Sequence, residues 1–185
     1  MSVKIRRLTS KEMKADVLEG IRATYREVFR RTPYFETEES ARLFAEYLPG
    51  YIEREAFRCC VAEDMTTTRT VIGFAYGYSS LPGTWWYDNI AAALHGEQIA
   101  EWLRGAFEFA EFAVRPNWQG KGIGGRLHDC LLEDLPHRTA VLTTLDADIE
   151  AVHLYYSRGW KDLRRNFRGP GFDQPYRIMG KQLAQ

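Results

Sequence analysis

Apolar residues recur along this chain at two spacings, near 3.6 and near 2, and the switches between them divide it into elements. Val3, Ile5 and Leu8 predict a short first strand. Within residues 16–31, Val17, Ile21, Tyr25, Val28 and Phe29 share one helical face, and Thr32-Pro33 ends the helix. Thr37 is placed as the N-cap of a second helix with the stripe Ala41, Phe44, Ala45 and Leu48, interrupted at Pro49-Gly50. Residues 57–62 and 71–78 predict a hairpin around a polar turn over 63–69. Residues 81–89, with Pro82-Gly83 and the run Trp85-Trp86-Tyr87, predict a loop, and 91–103 a helix. Residues 107–114 form an apolar strand that stops at Pro116, followed by a helix over 123–135 and a β-rich strand over 139–145. A helix over 148–158 is closed by Gly159, and 160–163 and 176–183 are candidate terminal strands.

The front half of this order reads as antiparallel, and the middle as a strand–helix–strand unit around a cluster of glycines. The predicted class is α/β: a single domain over residues 1–185, with a mixed, mostly antiparallel twisted sheet flanked by helices. A length of 185 residues suits one full hydrophobic core. Lys plus Arg and Asp plus Glu each number 25, so the formal net charge is zero and gives no electrostatic argument for nucleic acid or an anionic membrane. No apolar stretch is long enough to span a bilayer, and residues 1–11 are polar, without a secretory core.

Three cysteines are present. Cys59 and Cys60 are adjacent in a strand-like run and point to opposite faces, while Cys130 lies in a helical pattern. An odd number without framework spacing predicts free thiols in a reducing cytoplasm. His128 is two positions from Cys130 and does not face it on a helix, so Cys130 reads as a buried structural residue. The four histidines have no metal-ligand spacing, and no metal site is expected.

The chemistry is concentrated in residues 114–127, which run Val-Arg-Pro-Asn-Trp-Gln-Gly-Lys-Gly-Ile-Gly-Gly-Arg-Leu between a strand and a helix. Gly120, Gly122, Gly124 and Gly125 allow backbone N–H groups to approach an anion, and the helix N-terminus adds a favourable dipole. Lys121 and Arg126 add positive charge. Phosphate binding is therefore a physical expectation. A Walker A loop is excluded, because Arg126 and Leu127 stand where a lysine and a magnesium-binding hydroxyl would follow Gly125. Gly120-x-Gly122-x-x-Gly125 does match a dinucleotide fingerprint, with Asp146 placed about twenty residues on as a ribose-binding acid. Against that NAD(P)-binding oxidoreductase reading, residues 116–119 separate the strand from the first glycine, and little chain remains after Asp146.

The segment Gln119-Gly120-Lys121-Gly122-Ile123-Gly124 resembles the Gln/Arg-x-x-Gly-x-Gly/Ala signature of the GNAT acetyltransferase superfamily. Phe112 to Pro116 resembles the strand end before that signature, and Val71-Ile72-Gly73-Phe74-Ala75 an earlier strand. The block from Asp148 through Ala151, Leu154 and Tyr155 to Gly159-Trp160 resembles the family's later motif. The resemblance covers most of the chain from Phe57 to Trp160.

That resemblance implies an acetyl-CoA-dependent N-acetyltransferase acting on a primary amine of a small molecule or peptide by direct attack in a ternary complex. Phe112, Ala113 and Val114 would pair with the pantetheine arm. Gln119, Gly120, Lys121, Gly122, Ile123, Gly124 and Gly125 would hold the diphosphate, and Asp148 stands where the family often has a cofactor-contacting Asn. An ionised Asp cannot donate, and Asp148 equally reads as an N-cap. Tyr155 matches the family's general acid, and Glu108 and Glu111 are the candidate bases. Three residues apart, the two glutamates face opposite sides of a regular strand. Thr143 stands where some members carry a base on the next strand, so that version is not supported. Tyr34, Phe35, Trp85, Trp86 and Tyr87 are candidates for an aromatic acceptor wall or for ordinary packing. A non-catalytic acyl-CoA-binding module remains the other reading, and a homodimer stays open.

Overall fold

The computed structural model describes residues 2–66, 69–171 and 173–183. Seven strands form one sheet in the order β1-β2-β3-β4-β5-β7-β6. They are β1 (Val3–Leu8), β2 (Arg58–Asp64), β3 (Thr70–Ser79), β4 (Phe107–Val114), β5 (Thr139–Leu145), β6 (Lys161–Phe167) and β7 (Tyr176–Gln182). β1, β2 and β3 pair antiparallel in sequence, whereas β4 and β5 pair in parallel around an intervening helix. This is the mixed α/β sheet the pattern predicts. The final strands differ from a simple terminal pair, because β7 inserts between β5 and β6 and is antiparallel to both. The chain packs as two compact units, Met1–Tyr78 with Glu111–Glu133 and Ser79–Ala110 with Asp134–Gln185.

In the first unit, α1 (Ala15–Phe29) buries the predicted stripe Val17, Ile21, Tyr25, Val28 and Phe29. Thr24 is buried among them, where its hydroxyl reaches the carbonyl oxygens of Gly20 (2.9 Å) and Val71 (3.1 Å). α2 (Glu38–Ile52) starts at the predicted cap, with the Ser40 N–H donating to Thr37 Oγ1 at 3.1 Å. Thr37→Ala is expected to cost about 1 kcal/mol of stability, read as a lower urea midpoint at unchanged slope. The helix does not stop at Pro49 as predicted. A proline leaves the carbonyl four residues back without its donor. Here that carbonyl, on Ala45, accepts from Arg22 Nη2 at 3.2 Å, so a tertiary bond replaces the missing one. The hairpin turn also differs, because Glu63 and Asp64 continue β2; Thr67 and Thr68 lie outside the described residues. A bulge leaves Ile72 unmatched between the pairs Ala62–Gly73 and Glu63–Val71, and its carbonyl accepts from Arg115 N at 2.8 Å.

The prediction of three free thiols is corrected. Cys60 of β2 and Cys130 of α5 (Ile123–Leu132) are disulfide-bonded, with Cα atoms 6.4 Å apart, and only Cys59 is a free, buried thiol. The pairing depends on β2 packing against α5, which spacing along the chain does not reveal. The argument for a reducing compartment from unpaired thiols lapses with it. Among the described residues, no helix is long and apolar enough to cross a membrane.

In the second unit, the predicted loop over 81–89 holds the start of α3 (Trp85–Ala93). Thr84 caps it by accepting from Tyr87 N, and Asp88 accepts from Gly83 N at 3.0 Å. The predicted helix over 91–103 is broken, with α4 (Gly96–Gln98) running into a π turn over Ile99–Leu103. Tyr87, Ile90, Trp102, Leu103, Val141 and Ile178 belong to its core cluster. α6 (Glu150–Ser157) is closed by Gly159 at φ +79°.

Candidate active site

The glycine segment lies in the first unit, between the end of β4 and α5. Gly73 of β3 lets this end approach closely, since a Cβ there would sit 3.0 Å from both Ala113 O and Leu127 Cδ1. Gln119 Nε2 donates to Val114 O at 2.8 Å and folds the segment back on the strand. Gly120 and Gly122 adopt φ +69° and +74°, a left-handed conformation that favours glycine over residues with a branched or bulky side chain. Gly122 is the N-cap of α5, and no side chain caps the helix. The first-turn amides of a ten-residue helix are thus left to a ligand or solvent, and open space surrounds Gly120 and Gly122. The two nearby cations are tied elsewhere. Lys121 Nζ donates to Asn117 O at 2.7 Å and lies over the Trp118 ring, and Arg126 Nη2 donates to Val3 O at 3.2 Å. The anion-binding character of the segment therefore rests on backbone N–H groups and the helix dipole.

Glu111, also in the first unit, is partly buried on β4. Burial first, and then the charge of Glu36, push its carboxyl up to about 8, against a weak opposing bond from Phe112 N. Glu36 lies in the segment between α1 and α2, where its N–H donates to Phe29 O at 2.8 Å. Its carboxylate accepts from Tyr25 Oη at 2.5 Å and is raised by burial. Tyr34 is pushed up to about 12 by burial, Glu111 and Glu36, and Tyr76 is raised by burial and Glu111. Pattern reading singled out Glu111 but missed Glu36. The signal available was a carboxylate flanked by aromatic residues in a turn, which is not specific.

In the second unit, Glu108 is 3% exposed on β4, beside Val141 of β5 in the parallel register. Tyr155 is 5% exposed on α6, with Phe109 edge-on at 6.0 Å and Trp160 at 5.6 Å. Asp148 does not cap α6, whose N-cap is Ile149; its carboxylate pairs with His153 Nε2 at 2.7 Å instead. Trp86 Nε1 donates to Thr143 Oγ1 at 3.3 Å and Tyr87 is core, so much of the aromatic run is packing, while Trp85 is 55% exposed. Tyr34 of the first unit packs on Phe29 at 4.8 Å, and Phe35 is exposed. Asp146 is not available to a ribose. Its buried carboxylate accepts from Arg165 (2.7 Å), Arg177 (2.8 Å) and Asn166 N (2.8 Å), and these bonds, Arg165 first, hold it below the usual carboxylate range.

Residues 18–160 match the model of the acetyltransferase (GNAT) family, well over half of the chain. The chain belongs to that family. A "GCN5-like protein acetyltransferase" of Mycobacterium tuberculosis is 30% identical over 121 residues, 61% of this chain. The aligned region spans 59% of that curated relative. Among solved structures, a GNAT-family acetyltransferase from Bacillus cereus aligns over the full length of both chains, with TM-score 0.65 at 11% identity. The PaiA N-acetyltransferase of Thermoplasma acidophilum, solved in complex with coenzyme A, has TM-score 0.63 at 18% identity, covering 98% of this chain and 99% of that one. At these identities the two structures establish the GNAT fold.

Proposed function

We propose that this GNAT acetyltransferase binds acetyl-CoA through the segment 119–125 and transfers the acetyl group to a primary amine. The observation that carries the cofactor is the uncapped N-terminus of α5 behind two left-handed glycines, an anion cradle of backbone amides. The amides of Gly120 to Gly125 would hold the diphosphate, and the main chain of Phe112, Ala113 and Val114 the pantetheine arm. Bound acetyl-CoA supplies a thioester carbonyl and a thiolate leaving group. Glu111 serves as the base, because a carboxylate raised toward neutral pH accepts a proton from an ammonium far more readily than an ordinary one. Tyr155 serves as the acid that protonates the departing sulfur. Glu108 is the other candidate carboxylate on β4.

Thiol release from acetyl-CoA over a panel of amines and peptides tests this reading. Release with at least one acceptor supports it. Release with none, while coenzyme A binds, leaves a binding module. Tyr155→Phe is expected to lower kcat about ten- to a hundred-fold while the coenzyme A Kd stays within two-fold. Unchanged kcat would remove the acid role.

A further inference from the structure

Thr24 is fully buried in the hydrophobic stripe of α1, where a hydroxyl must be matched by partners. Its proton is shared between the carbonyl oxygens of Gly20 and Val71, and its oxygen accepts from Arg115 Nε at 3.1 Å. Arg115 is the residue on which β4 ends, and its other groups are engaged as well. Its N–H donates to Ile72 O at 2.8 Å, its carbonyl accepts from Trp118 N at 2.8 Å, and Nη1 lies 3.5 Å from Glu27 of α1. Val71 and Ile72 are the bulge residues of β3, so helix, bulge and strand end meet at one junction. α1 comes close enough for this because its residue 20 is glycine: a Cβ there would sit 2.7 Å from Val71 Cγ2. The short turn Pro116–Trp118 hangs from the junction, with Arg115 as its N-cap. Gln119 N closes it on Pro116 O at 3.2 Å, and Gly120 follows. The spacer that separates the strand from the glycines is therefore a turn whose start is fixed from α1.

We propose that Thr24 and Arg115 are positioning residues for coenzyme A, which set where the cradle begins without touching the cofactor. This rests on the reading of segment 119–125 as the cradle. Glycines at 120 and 122 make that segment conformationally permissive, so its placement has to come from its flanks. One flank is α5, and the other is Arg115. A cradle of backbone amides also has no long side chain that could follow a displaced diphosphate, so a shift at its start is felt as lost affinity. The guanidinium suits this task because Nε and Nη1 reach two residues of α1 at once, Thr24 and Glu27, in a fixed plane. A lysine at this position has a single ammonium and no donor where Nε stands.

The test is calorimetry with coenzyme A on the full chain, at a temperature where circular dichroism shows every variant folded. Thr24→Val keeps the shape of the side chain and removes the hydroxyl, whereas Thr24→Ser keeps the hydroxyl and removes a buried methyl. Valine should weaken coenzyme A about ten-fold. Serine should restore the affinity to within about two-fold of the parent, while lowering the thermal midpoint by about 2–4 °C. A merely structural role would make affinity follow the thermal midpoint in both variants. Arg115→Met and Arg115→Lys should each weaken coenzyme A about ten-fold, since neither offers a donor at Nε. Affinity retained in Arg115→Lys alone would mean that the charge acts directly on the cofactor's phosphates, which overturns the positioning role. Parent-like affinity in Thr24→Val, or an equal loss in Thr24→Ser, overturns it too. Gly122→Asn separates this proposal from the cradle itself. Weaker binding in Gly122→Asn with parent-like binding in Thr24→Val removes the positioning role and keeps the cradle. Parent-like binding in both removes the cradle and the positioning role with it.

Discussion

Glu111→Gln is expected to lower kcat about a hundred-fold or more and, in the same variant, to make the protein more stable at pH 8 than the parent. The two effects have one origin. The Glu111 carboxyl prefers its neutral form in the fold, through burial and the nearby Glu36 charge. Glutamine is neutral and of similar size, so it fits the site at every pH but cannot take a proton. The folded state thus holds a proton at Glu111 that the unfolded chain releases. Stability falls with pH wherever the folded state binds more protons, so the loss runs from the unfolded value of 4.5 up to about 8 and then levels off. One such group contributes at most about 1.4 kcal/mol per pH unit in that window. Of the other groups around it, Glu36 is raised by burial with the same sign and Tyr34 and Tyr76 remain neutral there, and all three are present in both proteins, so the difference between parent and variant reads Glu111. Urea unfolding from pH 5 to 9 reads the slope. Parallel curves for the two proteins would show that Glu111 titrates as an ordinary carboxylate. In turnover, the parent kcat/KM should rise toward a plateau with an apparent pKa near that of Glu111, and the variant should lose this limb.

What could be read from the sequence was whatever is decided locally. The stripe of α1, the cap at Thr37 and the apolar run of β4 are set by neighbours within a turn or two. The glycine segment was readable for the same reason, since a positive φ at Gly120 and Gly122 and a helix start at Ile123 are properties of the segment itself. Features decided through space were not readable. Pro49 stays helical only because Arg22 reaches Ala45 O. Cys60 finds Cys130 only once β2 lies against α5. Asp146 suits a ribose in sequence and is claimed by Arg165 and Arg177 in the fold. Side-chain alternation marks β7 as a strand but not as the neighbour of both β5 and β6. Glu36 is the plainest case, because its meaning depends on Glu111, which arrives from another part of the chain. The miss at Trp85 is different. Thr84 and Asp88 supply local caps for the helix, directly beside the Pro82-Gly83 pair that by itself predicts a loop.

Gly122→Asn should leave the fold nearly intact while weakening coenzyme A about ten-fold or more, because the residue stands where helix start and anion cradle coincide. Its φ of +74° costs most residues about 1–2 kcal/mol, but asparagine tolerates this conformation well. No atom lies within 4 Å of a Cβ added at Gly122, so the new side chain meets nothing in the protein. At the N-cap of α5 it adds bulk beside the uncapped amides proposed to hold the diphosphate. A β-branched residue is the contrasting case: Gly122→Val should lose coenzyme A binding and also about 1–2 kcal/mol of stability, because valine resists a positive φ. The decisive comparison uses a ligand without the diphosphate. Acetyl-pantetheine has the thioester and the arm but no phosphate for the cradle, so its turnover should be the same in the parent and in the Gly122→Asn variant, and both proteins should use it poorly. Equal coenzyme A affinity in the asparagine variant would place the diphosphate elsewhere. An equal loss for both ligands would mean that the substitution had disturbed β4 or the acceptor side rather than the cradle.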